Sequence, residues 1–172
     1  INTWSKILKK NSVFRLLLKS SEYCDTKYLL GKFEKKGVLK QIEILDRREF
    51  KDKKDHLELY NRIDLALDTF PYNGVTTSFE ALWMNVPVLV LKGYNFNSRC
   101  GESIITNSGI SYLIARNQEE YIAKAIHLFE NKEMLEEMRL KLYEDIISSP
   151  LFDTTLYTEN LSKCFIKLLN NK

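Results

Sequence analysis

The sequence predicts an α/β fold, a Rossmann-like parallel sheet with flanking helices. Three observations predict it. Segments of strand character alternate with segments of helical spacing, which is the signature of βαβ units. The clearest strands, residues 64–67 and 88–91, are apolar nearly throughout (Leu65, Ala66 and Leu67; Val88, Leu89 and Val90), as suits a parallel sheet covered on both faces. Between them lie a polar turn through Asn73 and Gly74 and a helical stretch that opens on Thr76 and Thr77. In such sheets ligands bind at the carboxyl ends of the strands. A helix starting there leaves backbone N–H groups free for an anion, most often a phosphate.

The elements follow in order. Residues 3–10 have helical spacing, with Trp4, Ile7 and Leu8 on one side. Residues 13–18 read as a buried strand with Arg15 inside it. Residues 24–36 read as a helix through Tyr28, Leu29 and Phe33, stopped by Gly37, a carboxyl-terminal glycine signal. A strand is expected at 41–45. Asp55 is positioned to cap a helix to about residue 62, with Leu57 and Tyr60 facing inward. The strand 64–67, the turn, a helix over 76–84 and the strand 88–91 come next. A helix over 99–107, a short strand at 112–115 and helices over 119–130 and 133–147 complete the alternation. Pro150 breaks the chain, and 154–169 is a last amphipathic helix carrying Tyr157, Leu161, Phe165 and Leu168. The first helix has neither a cap nor a preceding strand. The chain therefore reads as one domain, residues 1–172, cut from a longer protein.

Composition excludes several classes. Apolar residues make up 44% and charged residues 28% of the 172 positions, an ordinary globular balance. The net charge of +3 and the scattered lysines do not form the basic stripe expected of a nucleic-acid partner. No apolar run approaches the ~20 residues that span a bilayer, so no membrane partner is expected. Cys24, Cys100 and Cys164 are few, odd in number and far apart, which fits a reduced, cytoplasmic protein without a disulfide framework. Neither these cysteines nor His56 and His127 form a cluster with metal-ligand spacing. There is also no Asp-x-Asp pair to hold a divalent cation against a diphosphate. Protein groups would have to neutralise such a ligand.

Several residues carry two readings. Thr76 and Thr77 either cap their helix or hold a phosphate oxygen with hydroxyl and N–H groups; taken alone, capping is the commoner use. Glu80 lies i+4 from Thr76 and i+3 from Thr77 and shares their face. It is either a helix-dipole carboxylate or an acceptor for ribose hydroxyls. His56 is either a surface residue or a ring that meets a base, and Lys53 is either solvated or near a phosphate. Arg99 is either an anion ligand or an ion-pair residue. Phe79, Leu82 and Trp83 read as core residues, and His127 carries no role.

Taken together, these segments resemble a known family. The segments are His56-Leu-x-Leu-Tyr60, Asp64-Leu-Ala-Leu-Asp-Thr-Phe-Pro-Tyr-Asn-Gly74, Thr76-Thr77, Glu80-Ala-Leu-Trp83, Val86-Pro-Val88, Ser98-Arg99 and Ser148-Ser-Pro-Leu-Phe152. In this order they resemble the carboxyl-terminal catalytic region of the O-GlcNAc transferase or SPINDLY-like family, glycosyltransferase family 41, and its bacterial members especially. The resemblance implies the carboxyl-terminal, donor-binding half of a GT-B glycosyltransferase. It implies a UDP-sugar donor, no metal cofactor, and transfer of a sugar such as N-acetylglucosamine to Ser or Thr hydroxyls of a protein bound through regions outside this chain. By motif position, His56 would stack on or contact the uracil, with Lys53 near the nucleotide. Thr76 and Thr77, after Gly74, would bind the diphosphate, and Glu80 would take the ribose position. Val75 and Leu59 stand where animal members carry a histidine and an arginine, and Glu80 where they carry an aspartate. A diphosphate-binding lysine of the family precedes the segment that matches Trp4. No residue is assigned as general base. A non-catalytic nucleotide-binding or scaffolding module, and a transferase acting on asparagine or a glycan, remain as alternatives.

Overall fold

A computed structural model describes residues 1–20 and 23–170. Its elements run α1 (Asn2–Leu8), β1 (Leu16–Ser20), α2 (Thr26–Glu34), β2 (Ile42–Asp46), α3 (Lys53–Glu58), β3 (Ala66–Leu67), α4 (Thr76–Trp83), β4 (Val88–Leu91), α5 (Cys100–Asn107), β5 (Ile114–Ala115), α6 (Gln118–Glu130), α7 (Lys132–Ile147) and α8 (Thr154–Asn170). All strand pairs are parallel. One ladder joins β1 to β2, with Leu16 opposite Ile42 and Ser20 opposite Asp46. The other has the order β3-β4-β5. The α/β class expected from the alternation is the one observed.

β4 is the centre of the core because it is covered on every side. Val88, Leu89 and Val90 are at most 1% exposed, since β3 and β5 flank the strand and α4, α5 and α6 pack on it. Leu82, Ile105, Leu113, Tyr121, Leu142 and Ile146 complete this cluster. A smaller cluster of Leu8, Leu16, Phe33 and Val38 lies under β1, and Phe14 and Leu67 touch both. Among the described residues β1 pairs only with β2 and β3 only with β4. A cavity of about 860 Å³ separates the two free edges, with Leu16, Leu17, Leu18, Ala66, Leu67 and Asp68 among its walls.

Three expectations need correction. The strand expected at 13–18 lies at Leu16–Ser20, and Val13 is exposed. Arg15 is outside the strand, and its guanidinium folds back to donate to the carbonyls of Ser12, Val13 and Phe14. The cap of α3 is Asp52, whose carboxylate accepts from the Asp55 N–H at 2.9 Å. Trp83 is not core. It is half-exposed and packs edge-on against Tyr143, with Phe152 tilted beside it. The expected carboxyl-terminal signal at Gly37 does hold: its φ is +72°, a left-handed conformation that glycine adopts without penalty.

Gln41 ties the loop before β1 to β2. Its buried Nε2 lies 3.0, 2.9 and 3.0 Å from the carbonyls of Leu8, Asn11 and Phe14. Gln41→Ala should therefore cost about 2 kcal/mol, because the buried Leu8 carbonyl and two partly buried ones lose their donor. Urea unfolding would read this as a lower midpoint at unchanged slope.

Candidate functional site

The site forms where β3 ends. Asp68 follows β3 directly and is 7% exposed. Its Oδ1 accepts from the N–H groups of Thr69 at 2.9 Å and Gly74 at 2.7 Å, which draws residues 68–74 into a closed loop. Asn73, 2% exposed, pins that loop from within. Its Nδ2 donates to the Thr69 carbonyl at 2.9 Å, and its Oδ1 accepts from the Gly101 N–H of α5 at 3.2 Å. Tyr121 donates to the Asp68 carbonyl at 2.9 Å from α6. A Cβ at 74 would collide with Thr77 Oγ1 and force that hydroxyl to turn. Asp68 Oδ2 has no partner among the described residues. Burial outweighs the two N–H donors and pushes the carboxyl up to about 6.

This loop delivers the chain to the start of α4. The residue in the N-cap position is Val75, and no side chain caps the helix. Thr76 and Thr77 are the first two helical residues, so the capping role that the sequence left open is not the one they play. Both are exposed. Among the described residues their N–H groups and hydroxyls have no partner, since the first amides with acceptors are those of Ser78 and Phe79. Two amides, two hydroxyls and the positive end of the helix dipole together make a receptor for an anionic oxygen.

One turn on, Glu80 is held in place. His56 Nε2 lies 2.9 Å from Glu80 Oε2 and the Tyr60 hydroxyl 3.4 Å from the same oxygen. Tyr60 also donates to the Thr77 carbonyl at 3.2 Å. Burial, reinforced by the Glu80 carboxylate, drives the phenol far above its ordinary value, so Tyr60 stays a donor. The carboxylate and imidazole keep 17% and 23% of their side-chain surface, enough to meet a ligand. Lys53 opens α3, three residues before His56, with its side chain in solvent.

Thus the structure brings Gly74, Thr76, Thr77, Glu80 and His56 together and leaves Lys53 at the rim. Arg99 falls on the ion-pair side of its two readings. It and Lys92 clasp the carboxylate of Glu102 at 2.8 and 2.6 Å. Lys92 first, then Arg99, hold that carboxyl below its usual range. The sequence reading missed Lys19, at the end of β1, whose Nζ is 2.7 Å from His56 Nδ1. Burial draws its ammonium below the ordinary lysine range; Arg47 adds to this and Glu80 opposes it. The reading also missed Asp68. The signal for both was position: each is a charged residue closing an apolar strand at the edge where ligands bind.

Known proteins fit this geometry. A tomato (Solanum lycopersicum) protein named as a probable UDP-N-acetylglucosamine–peptide N-acetylglucosaminyltransferase SPINDLY is 31% identical over 169 residues, covering 96% of this chain and 18% of its own length. An Arabidopsis thaliana protein with the same activity in its name, SEC, is 30% identical over 175 residues, covering 99% and 17%. The chain therefore spans less than a fifth of these relatives. A solved Thermobaculum terrenum O-GlcNAc transferase mutant, K341M, superposes with a TM-score of 0.86 at 34% identity, over 95% of this chain and 32% of that one. The expected kinship with the catalytic region of a GT-B enzyme is borne out by that superposition. The model of the family described as glycosyl transferase family 41 matches residues 1–161, and the chain belongs to that family.

Proposed function

We propose that this chain is the donor-holding part of a glycosyltransferase that moves N-acetylglucosamine from its UDP conjugate to Ser or Thr hydroxyls of a protein. One observation carries the reading: the uncapped start of α4, with unpartnered Thr76 and Thr77, stands one turn from the His56–Glu80 pair. A nucleoside diphosphate needs both an anion receptor and a polar contact for its sugar, and here the two are one helical turn apart. UDP leaving the sugar gains charge on its β-phosphate. Amides and hydroxyls already aimed there stabilise that charge without reorganising. The residues present neutralise the diphosphate with N–H, O–H and ammonium groups, and a role for a metal ion is not part of the proposal. A second reading, a nucleotide-binding module without transfer, draws support from Val75 and Leu59, apolar side chains where animal members of the family carry a histidine and an arginine.

Calorimetric titration with UDP tests the site. Thr76→Ala/Thr77→Ala should weaken binding by about 1–3 kcal/mol, the scale of lost hydrogen bonds to a charged group, and His56→Ala by about 1–3 kcal/mol, the scale of a lost base–aromatic stack. Saturable binding that neither variant alters would place the nucleotide elsewhere. No binding up to about millimolar UDP, a free energy near −4 kcal/mol, would count against a donor site in this chain.

A further inference from the structure

Lys19 is the last residue but one of β1, so its side chain leaves the sheet at the edge where the donor site is proposed. Its Nζ lies 2.7 Å from His56 Nδ1 and 4.2 Å from the centroid of the Phe50 ring. An ammonium has three hydrogens to give and no lone pair with which to accept. Nδ1 must then be the accepting nitrogen, and the ring hydrogen sits on Nε2. There it faces Glu80 Oε2 at 2.9 Å, an oxygen that can only accept. The donors all point one way, from Lys19 to His56 to Glu80. The opposite tautomer would set N–H against N–H at Lys19 and a lone pair against a carboxylate at Glu80, losing both hydrogen bonds. A doubly protonated ring would press a second cation against the ammonium. Among the described residues Tyr60 is also packed on the ring, and its phenol stays neutral.

We propose that Lys19 is a positioning residue of the donor site: its ammonium fixes the hydrogen of His56 on Nε2 and so keeps the imidazole locked to Glu80. The inference rests on the donor-site reading. With both nitrogens committed, His56 meets a ligand through its ring carbons and π-face. That favours stacking on a planar base over hydrogen bonding to the base edge.

The test uses the ¹⁵N-labelled chain and long-range ¹H–¹⁵N imidazole spectra at pH 6.5, with His127 as internal reference. The wild type should show His56 with a bare Nδ1 and a hydrogen on Nε2. Lys19→Met keeps the unbranched stem beside Phe50 and removes only the ammonium. It should raise the fraction of His56 with a hydrogen on Nδ1 about threefold or more, and Lys19→Arg should reverse most of this. A merely structural role for Lys19 would leave the Met spectrum unchanged, and that result overturns the proposal. A UDP titration of the same proteins separates the two ideas. A roughly three- to tenfold weaker Lys19→Met complex supports both. A changed Lys19→Met spectrum beside a wild type that binds no UDP retains the proton placement and removes the donor reading.

Discussion

Asp68→Asn should make the protein more stable at pH 7.5, by up to about 3 kcal/mol, and should do nothing at pH 4. The sign follows from burial. The Asp68 carboxyl rises from 3.8 to about 6 because the fold desolvates it and leaves Oδ2 without a partner. The folded state therefore holds the proton more tightly than the unfolded chain does. Its contribution to stability is complete below about pH 4 and is lost as pH climbs through about 6. Asparagine keeps the Oδ1 acceptor for the Thr69 and Gly74 N–H groups and never carries the charge. Urea unfolding of both proteins between pH 4 and 8 should show a difference that opens over this window. A difference independent of pH would mean that Asp68 does not titrate there. Asp68→Ala should lose stability at every pH, because it orphans both amides.

Asn73→Ala should cost about 2–3 kcal/mol, since it strands a buried amide and removes the donor of a partly buried carbonyl. The Thr69 carbonyl loses its donor and the buried Gly101 N–H its acceptor. A Cβ at Gly101 would sit 2.6 Å from Asp68 Oδ2 and 2.7 Å from Val90 Cγ1, so the space around that amide is already filled and cannot close to compensate. The loss should appear as a lower urea midpoint. UDP binding should weaken alongside it, because the same bonds fix the angle at which Thr76 and Thr77 are presented. Unchanged stability would show that water satisfies both groups.

Much of this arrangement was legible in the chain, for reasons that can be named. The run Val88–Leu91 is apolar without a break, and a strand covered on both faces accommodates that. Thr76, Thr77 and Glu80 could be placed on one face because helical spacing alone puts them there. The first strand was misplaced because Val13 and Phe14 extend its apolar pattern, and nothing local reveals that the Arg15 side chain curls back on three carbonyls. Asp52 and Asp55 are equally good caps by type, and only the geometry chooses Asp52. Lys19 stayed hidden for a different reason. It lies 37 residues from His56, and topology rather than spacing joins them. A lone lysine after Leu18 reads as solvated until β1 and α3 are set side by side.

The gap between β1 and β3 has a thermodynamic consequence. Among the described residues no ladder crosses it, so β1, which carries Lys19, meets Glu80 through the His56 side chain and not through a shared sheet. A ligand gripped by both sides of the gap acts as a rivet. Its binding free energy is added to the cost of parting them, by RT ln(1 + [L]/Kd). Saturating nucleotide should therefore slow the exchange of β1 amides that it never touches. If the donor binds as proposed, its cleft is also the place where bound ligand resists local opening.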